Sequence, residues 1–384
     1  MNTPLKKKKI LIFIRYYLPG YKSGGPVRSI SNMVRVLNYK YEFYIVCLSH
    51  DYGDKTRYKD ASRKFWKNVD GANVLYLNES IVLFATFLSV IRKLEPDVVY
   101  FNSFLDPFFT FIQLAYYSRK NNKIIIAPRG ELTHGALSLS KSRKKLYIYI
   151  FKKFFSRKNL TWHATTEDEL GHISLNISVK PNQIYVANNI PFIDNDNFKC
   201  NFSCKESNKL NIVFLSRISP VKNLAYFLDI LKDCNLNINF DIYGPIGDTS
   251  YWNLCMKKIM NLPKAISVNY FGPIRHDLVR NTLSNYDLFV LPTLGENFGH
   301  VIFEALSLGI PVLISDRTPW TNLVNSGSYA AIPLNKPDQY IVFIQNLYTM
   351  SNSEFTTLRA YASNVFNEYM TSNNPIDCYL ELFE

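Results

Sequence analysis

Residues 291–311 read LPTLGENFGHVIFEALSLGIP, in which a short apolar run, a polar loop and a helical pattern follow one another. The apolar run stops at Pro292, and the helical pattern begins directly after Gly299. Gly309 and Pro311 mark its end, because glycine favours the conformation that closes a helix and proline cannot continue one. The segment therefore predicts a strand, a loop and a helix in succession, with a second strand after Pro311.

Two glutamates of this segment, Glu296 in the loop and Glu304 in the helix, have seven residues between them. Glu304 stands among apolar residues, and a carboxylate there needs hydrogen-bond donors, which the two hydroxyls of a ribose would supply. The first backbone amides of the helix, around Phe298 and Gly299, suit a phosphate or a sugar hydroxyl. For either glutamate alone, capping by Glu296 or an exposed Glu304 explains the residue as well. The segment as a whole favours a ligand site.

Alternation of strands and helices runs along the chain, pauses over the Asn-, Asp- and Pro-rich residues 188–207, and restarts. The candidate strands are Ile10–Arg15, Glu42–Leu48, Ala72–Tyr76, Val98–Phe101, Ile124–Ala127, Leu210–Leu215, Ile238–Tyr243, Ser267–Phe271, Leu288–Leu291 and Val312–Ile314. The pattern predicts an α/β protein with two doubly wound parallel sheets. We place an N-terminal domain at residues 1–190, a second at 191–365, and a C-terminal helix at 366–384 that packs back on the first.

The composition is globular and the charge is uneven. Of 384 residues, 47% are hydrophobic and 20% are charged, with a formal net charge of +13, which excludes a disordered chain. Residues 1–195 hold 30 Lys and Arg against 14 Asp and Glu, whereas residues 196–384 hold 14 against 17. The longest apolar run, Ile81–Ile91, is too short for a membrane span of about 20 residues. We expect a cytoplasmic protein.

The basic excess peaks at Lys141–Lys158, which reads KSRKKLYIYIFKKFFSRK and contains no acidic residue. As a helix it would place a basic rim around Leu146, Ile150, Phe154 and Phe155, which suits the inner face of an anionic membrane. A buried helix with solvated basic ends is the alternative. We expect no nucleic-acid partner, because no recognition motif accompanies the charge.

Sequence motifs of other chemistries are missing. The chain has no GxGxxG, GxxxxGK[ST] or HExxH pattern, which disfavours dinucleotide oxidoreductases, P-loop enzymes and zinc proteases. Asp194-Asn195-Asp196 resembles a metal-binding pair but lies in the linker. We therefore expect neither a metal nor a cofactor.

Two further loops suit an anionic ligand. Arg217 and Lys222 share a loop after a predicted strand, where they could neutralise a diphosphate, although two solvated charges are an equal alternative. Gly24 and Gly25 precede Pro26 at the start of a predicted helix and would allow a close approach by phosphate or acceptor, or form an ordinary turn.

These motifs together resemble a known family. GENFGHVIFEALSLGIPV, at residues 295–312, resembles the E-x7-E signature of the retaining nucleotide-sugar glycosyltransferases of family 4. SRISPVKNL, at 216–224, resembles their Arg and Lys donor loop, and LPGYKSGGPVRSI, at 18–30, their N-terminal Gly-Gly loop. The resemblance covers most of the chain and implies the GT-B fold, in which two Rossmann-like domains face each other across a cleft.

The resemblance also assigns roles. Its donor-binding positions are Gly24, Gly25, Arg217, Lys222, Ile274, Glu296, Asn297, Phe298, Gly299 and Glu304. Its catalytic positions are Glu296, Arg217, Lys222 and His134, with Arg129 and Glu131 as alternatives to His134. Glu304 would bind the ribose and Glu296 the transferred sugar, while Ile274 would pack on the nucleobase.

The implied function is sugar transfer from a nucleotide diphosphate sugar to a glycan acceptor, with retention at the anomeric carbon and without a metal. The charge pattern favours a lipid-linked acceptor in surface polysaccharide synthesis, such as lipopolysaccharide, O-antigen or capsule, and a peripheral position on the cytoplasmic membrane. A nucleotide-sugar epimerase of the same architecture is one alternative. A non-catalytic carbohydrate- or membrane-binding protein is the other.

Overall fold

The computed structural model describes residues 7–59, 61, 65–78, 91, 93–138, 141–155, 159–191, 205–206, 208–321, 330–372 and 374–384. Most of the run Ile81–Ile91, most of the linker with Asp194-Asn195-Asp196, and residues 156–158 of the basic segment lie outside this part of the chain. The protein forms two compact units. The first consists of Met1–Phe192 with Pro375–Glu384, and the second of Ile193–Asn374.

The first unit is built on one sheet. Its strands are β1 Lys8–Phe13, β2 Tyr41–Leu48, β3 Lys67–Val69, β4 Ala72–Leu77, β5 Val98–Phe101, β6 Lys123–Ile126, β7 Thr161–Ala164 and β8 Ile184–Val186. Their order is β3-β4-β2-β1-β5-β6-β7-β8, parallel except for the edge pair of β3 and β4. Its helices are α1 Gly25–Leu37, α2 Gln113–Tyr117, α3 His134–Ser138, α4 Lys141–Phe155, α5 Glu167–Ile177 and, from the end of the chain, α12 Pro375–Phe383.

Both faces of this sheet are buried. In β1, Ile10 and Ile12 belong to one apolar cluster, whereas Leu11 and Phe13 belong to the cluster on the other face. Successive side chains of a strand point to opposite faces, so an unbroken apolar run is typical of a strand covered by helices on both sides. Burying each such side chain contributes about 1.5–3 kcal/mol, which fixes the central strand firmly.

The second unit is built on a fully parallel sheet. Its strands are β9 Leu210–Leu215, β10 Ile238–Tyr243, β11 Ile266–Gly272, β12 Leu288–Leu291, β13 Val312–Ser315 and β14 Ala330–Ile332, in the order β11-β10-β9-β12-β13-β14. Its helices are α6 Leu224–Lys232, α7 Thr249–Ile259, α8 His276–Leu283, α9 His300–Ser307, α10 Pro337–Thr349 and α11 Asn352–Ser372. The predicted α/β class with two parallel sheets is confirmed.

The strand order reverses direction once in each sheet. In the first unit, β2 pairs with one side of β1 and β5 with the other. In the second unit, β10 and β12 flank β9 in the same way. Such a switch point leaves a crevice at the carboxyl ends of the two diverging strands, where α/β proteins bind their ligands.

The end of the chain differs from the sequence-based boundaries. The boundary at residue 366 falls inside α11, which packs within the second unit through the ring pair of Phe303 and Phe366, 5.0 Å between centroids. A new helix starts at Pro375, because proline lacks the N–H that a continuing helix needs. Within the described residues, no helix combines the length and apolarity that crossing a bilayer requires.

Candidate active site

Two loops at the carboxyl edge of the second sheet form the centre of the candidate site. One follows β9 and carries Lys222, and the other follows β12 and carries Glu296. They are joined at Val221, whose carbonyl oxygen accepts hydrogen bonds from Leu294 N at 2.7 Å and Thr293 Oγ1 at 3.0 Å. Since β9 and β12 flank the switch point, these loops border its crevice.

Lys222 and Glu296 form an ion pair between the two loops. Their side chains are 16% and 15% exposed, so the pair is largely withdrawn from water yet reachable. The backbone N–H of Glu296 donates to Arg317 O at 3.0 Å, which fixes the loop from the β13 side. A partly desolvated ammonium and carboxylate can each exchange their mutual contact for a polar ligand group. The structure therefore brings together two residues that the sequence placed 74 positions apart.

Arg217 lies on the same loop as Lys222, and its side chain is exposed. Its stem packs on Gly247, where an added Cβ would lie 2.9 Å from both Arg217 Cγ and Cδ. Ile218 N donates to Pro245 O, and Gly247 N donates to Ile218 O, each at 2.9 Å. The missing side chain of Gly247 thus leaves room for the stem of Arg217 and fixes its direction. This role was not predicted, although the sequence GPIG directly follows a predicted strand.

The start of α9 explains the glycine at position 299. Gly299 has φ of 78°, and a Cβ there would meet Ile302 Cδ1 at 2.8 Å and Glu296 Cγ at 3.1 Å. Glycine is the residue that adopts this conformation without strain. Phe298 is buried and its carbonyl accepts the indole N–H of Trp320, so only backbone atoms of Phe298 are suited to a ligand. Asn297 is half-buried beside them.

Glu304 is buried, contrary to the exposed alternative that the sequence left open. Its side chain is 7% exposed, and Oε1 lies 4.0 Å from His276 Nδ1 at the start of α8. The two helices are further joined by Arg280, which donates to Ser307 Oγ at 3.2 Å. Ile274 is half-buried two residues before His276. His276 was not predicted, because nothing in its local sequence pattern connects α8 to α9.

The glycine loop of the first unit is held by an aspartate that the sequence analysis did not single out. Asp51 is buried, and its Oδ2 accepts the backbone N–H groups of Tyr21 at 2.8 Å and Lys22 at 3.1 Å. Gly24 has φ of 71° and precedes the first residue of α1, Gly25. Both glycines are exposed, so the loop is fixed at its base and open at its tip.

The three candidate catalytic residues of the first unit, Arg129, Glu131 and His134, differ in their contacts. Arg129 donates to Asn102 Oδ1, Asn189 Oδ1 and Tyr100 OH, each at 2.7 Å. These contacts give it a structural role in joining the segments after β5 and β8. His134 is the first residue of α3, and its side chain lies outside the described part.

Glu131 has a structural role as well. Its carboxylate accepts hydrogen bonds from Ser103 Oγ at 2.7 Å, Phe104 N at 2.6 Å and Leu105 N at 2.7 Å. Burial raises the pKa of Glu131, while these three donors counteract the rise. The carboxylate thus holds the segment that follows β5. Over the described residues, no cluster of three or more His, Cys, Asp or Glu side chains is arranged to hold a metal ion.

Helix α4 presents an aromatic and basic surface that differs from the predicted one. Leu146, Tyr149 and Phe154 are exposed. Phe155 is buried, so the predicted face is wrong at this position, whereas Ile150 is half-buried. The reason is that α4 turns Phe155 toward Phe111, 5.3 Å between ring centroids, in the core of the first unit.

Comparisons with known proteins agree with this architecture. Residues 199–353 match the family model described as glycosyl transferases group 1. An uncharacterised 41.2 kDa protein of the cps region of Klebsiella pneumoniae is 22% identical over 93% of this chain and 96% of its own length. An Escherichia coli UDP-Gal:alpha-D-GlcNAc-diphosphoundecaprenol alpha-1,3-galactosyltransferase is 29% identical over 42% of this chain and 43% of its own.

Solved structures share the whole fold. HepE from Anabaena, crystallised with UDP and glucose, superposes with a TM-score of 0.71 at 16% identity, covering 98% of both chains. WaaG, a glycosyltransferase of lipopolysaccharide biosynthesis, superposes with a TM-score of 0.65 at 15% identity, also over 98% of both chains. Residues 199–353 thus resemble the group 1 glycosyl transferases, and the overall architecture of the chain is GT-B.

Proposed function

We propose that this protein transfers a sugar from a nucleotide diphosphate sugar to a lipid-linked glycan acceptor, with retention at the anomeric carbon. The observation that carries the proposal is the partly buried pair of Lys222 and Glu296 at the switch point of the second sheet. An ion pair that only stabilises the fold does not require this position. Binding of a donor that is both anionic and rich in hydroxyls requires both a cation and a carboxylate there.

The second unit would bind the donor. Buried Glu304 is suited to the ribose hydroxyls, and half-buried Ile274 is suited to packing on the nucleobase. Glu296 would accept hydroxyls of the transferred sugar, while the amides of residues 297–299 would bind sugar hydroxyls or phosphate. The HepE structure was obtained with UDP and glucose, which supports a donor of this kind here.

The chemical step would depend on fixed cations. When the bond between the anomeric carbon and the phosphate breaks, negative charge develops on the leaving diphosphate, and Arg217 and Lys222 would stabilise it. Preorganised donors of this kind contribute about 2.7–4 kcal/mol each in enzymes. The leaving phosphate would take the proton of the attacking hydroxyl on the same face, which gives retention. Because these cations neutralise the diphosphate, we propose that no metal is required.

The first unit would bind the acceptor and the membrane. Exposed Leu146, Tyr149 and Phe154 on α4 lie among lysines, which matches the requirements of an anionic lipid surface at the inner face of the cytoplasmic membrane. The Klebsiella pneumoniae relative comes from a cps region and the Escherichia coli relative acts on a diphosphoundecaprenol acceptor, which supports a role in surface polysaccharide synthesis.

A donor panel tests this function. Purified protein is incubated with UDP-, GDP-, CMP- and dTDP-sugars, with and without membrane lipid extract, and nucleotide release is measured with and without EDTA. We expect release from one nucleoside diphosphate sugar, stimulated by lipid extract and unaffected by EDTA, and an α-linked product from an α-linked donor. Conversion of the donor sugar without nucleotide release would indicate an epimerase, and binding without turnover would indicate a non-catalytic protein.

A further inference from the structure

Trp320 connects the loop after β13 to the loop that leads into α9. Its indole N–H donates to the backbone carbonyl oxygen of Phe298. The same loop after β13 also provides Arg317 O, which accepts the backbone N–H of Glu296 at 3.0 Å. Two hydrogen bonds to one loop therefore hold the segment 296–298 at both of its ends, directly beside the ion pair at the switch point.

The side chain of Trp320 is itself held in one orientation. It is 1% exposed, and its ring centroid lies 4.8 Å from that of Tyr369 and 5.6 Å from that of Phe298. It is the third residue of the turn 318–321, which is closed by a hydrogen bond of 3.4 Å between its end residues. The second residue of this turn is a proline, which favours the turn. Packing and backbone together thus fix the direction of the indole N–H.

The hydrogen bond from Trp320 also sets the direction of the next backbone N–H. The carbonyl of Phe298 and the N–H of Gly299 belong to one trans peptide group and point in opposite directions. Because the carbonyl points toward the indole in the aromatic cluster, the N–H of Gly299 points away from that cluster. Glu296 passes along the same residue, since a Cβ on Gly299 would lie 3.1 Å from Glu296 Cγ.

This N–H is suited to a phosphate oxygen. Gly299 precedes α9, His300–Ser307, and the start of a helix combines unpaired amides with the positive end of the helix dipole. Gly299 is buried, and among the described residues no protein oxygen accepts its N–H. A buried backbone N–H without an acceptor is rare in proteins, so its presence beside the switch point indicates a ligand.

We therefore infer that Trp320 is a positioning residue of the donor site. Its indole N–H turns the peptide between Phe298 and Gly299 so that the N–H of Gly299 binds a phosphate oxygen of the donor. This inference rests on the proposed function for the identity of the ligand as a nucleotide diphosphate sugar.

A residue that only fills the core would need the ring of Trp320 and not its N–H. Trp320→Phe keeps an aromatic ring against Tyr369 and removes the donor to Phe298. Replacing Trp320 by β-(3-benzothienyl)alanine changes less, because sulfur takes the place of the N–H in a ring system of nearly the same size. Either replacement leaves the carbonyl of Phe298 without the indole, so the peptide is no longer held in its orientation.

Trp162 in β7 provides a matched control in the first unit. It is 0% exposed, and its ring centroid lies 5.4 Å from that of Phe104 and 5.8 Å from that of Phe151. Over the residues that the structure describes, its Nε1 has no hydrogen-bond partner. Trp162→Phe therefore removes the same atoms from a buried aromatic cluster without removing a hydrogen bond to a carbonyl.

Equilibrium binding of UDP, GDP and dTDP to the full chain tests the inference, with uridine, guanosine and thymidine as comparisons. We expect both Trp320 replacements to weaken binding of the preferred diphosphate about tenfold, which is the effect of losing a hydrogen bond to a charged group, and Trp162→Phe to leave it unchanged. Binding of the matching nucleoside should be the same in all four proteins. Undiminished diphosphate binding in either folded Trp320 replacement, an equal loss in Trp162→Phe, or an equal loss for the nucleoside would overturn the inference.

The amide signal of Gly299 reports the orientation of the peptide directly. The chain contains two Phe–Gly bonds, 271–272 and 298–299, so phenylalanine labelled with ¹³C at the carbonyl and glycine labelled with ¹⁵N select two signals. Phe271→Leu removes one of them and so identifies the other. We expect the Gly299 signal to move downfield when the preferred diphosphate is added to the unaltered protein, and to move less in the Trp320 replacements. A shift of the same size in these proteins would contradict the positioning role.

Thermal unfolding shows which of the altered proteins are folded. If Trp320→Phe does not fold, the benzothienylalanine protein provides the test, because its core volume is nearly unchanged. An unaltered protein that binds none of the three diphosphates would overturn the proposed function and this inference with it. Tight binding that the Trp320 replacements leave intact would overturn the inference alone.

Discussion

Replacing Gly247 by alanine should impair catalysis while leaving the fold intact. The new Cβ would lie 2.9 Å from Arg217 Cγ and Cδ and 3.1 Å from Ile218 O, so the arginine stem must move. Gly247 does not have a positive φ, so the backbone accepts alanine and stability should change by no more than about 1 kcal/mol. If Arg217 stabilises the leaving diphosphate, its displacement removes part of a contribution that reaches about 100–1,000-fold for one donor. We expect kcat/KM to fall about 10–100-fold, or about 1.4–2.7 kcal/mol.

The assay is steady-state nucleotide release with thermal unfolding in parallel. Gly171→Ala in α5 is the control, because a Cβ there meets nothing within 4 Å. It should raise stability by about 0.5–1 kcal/mol, since alanine is the better helix former, and leave kcat/KM unchanged.

A double-mutant cycle decides whether Arg217 is the cause. Arg217→Gln should lower kcat/KM at least as much as Gly247→Ala does. The double variant should have the same kcat/KM as Arg217→Gln alone, because Gly247→Ala can then no longer displace an arginine. Additive losses would refute the reasoning, and so would full activity of Gly247→Ala.

Three further predictions concern other parts of the molecule. Glu304→Gln should raise the donor KM about tenfold with little change in kcat, because a ribose contact is made equally in the ground and transition states. Glu296→Gln should instead lower kcat. Steady-state kinetics of both variants measure these effects, and the reverse pattern would contradict the two roles. Buried His163 donates from Nε2 to Ala187 O at 2.8 Å, and desolvation lowers its pKa to about 3. As the pH falls, the His163 imidazole therefore takes up a proton in the unfolded chain before it does so in the folded protein. The free energy of unfolding should fall as the pH drops from 6.5, by up to about 1.4 kcal/mol per pH unit more than in His163→Gln. Identical slopes for the two proteins in denaturant titrations at different pH would show that His163 does not titrate in this way. Tyr149→Glu on α4 should reduce binding to phosphatidylglycerol vesicles at least tenfold in a flotation assay, whereas Leu175→Glu on α5, an exposed apolar residue of another helix, should not; an equal effect of the two would remove α4 as the docking surface.

Much of the fold was predictable because both sheets are parallel and covered on both faces. Unbroken apolar runs such as ILIF in β1 and LFVL in β12 are typical of such strands, and both were predicted as strands. The short strand β7, Thr161–Ala164, was missed because four residues with a histidine among them give no clear period.

The candidate site was predictable only where its residues share a local pattern. Glu296 and Glu304 belong to one strand–loop–helix segment, so their relation was visible in the sequence. Gly247, His276 and Asp51 act on residues 28 or more positions away, and nothing in the sequence near them predicts those contacts. The error at Phe155 has a related cause, because the helical period gives the spacing of a face but not which side meets the core.

The most direct test of the account compares two lysines of the second unit in single-turnover nucleotide release. Lys222 pairs with Glu296 at the switch point, and Lys258 pairs with Asp229 on the outer surface of two helices. Lys222→Met should slow release from the preferred nucleotide sugar at least 100-fold, about 2.7 kcal/mol, while Lys258→Met matches the unaltered protein. Undiminished release by folded Lys222→Met would show that the chemistry takes place elsewhere.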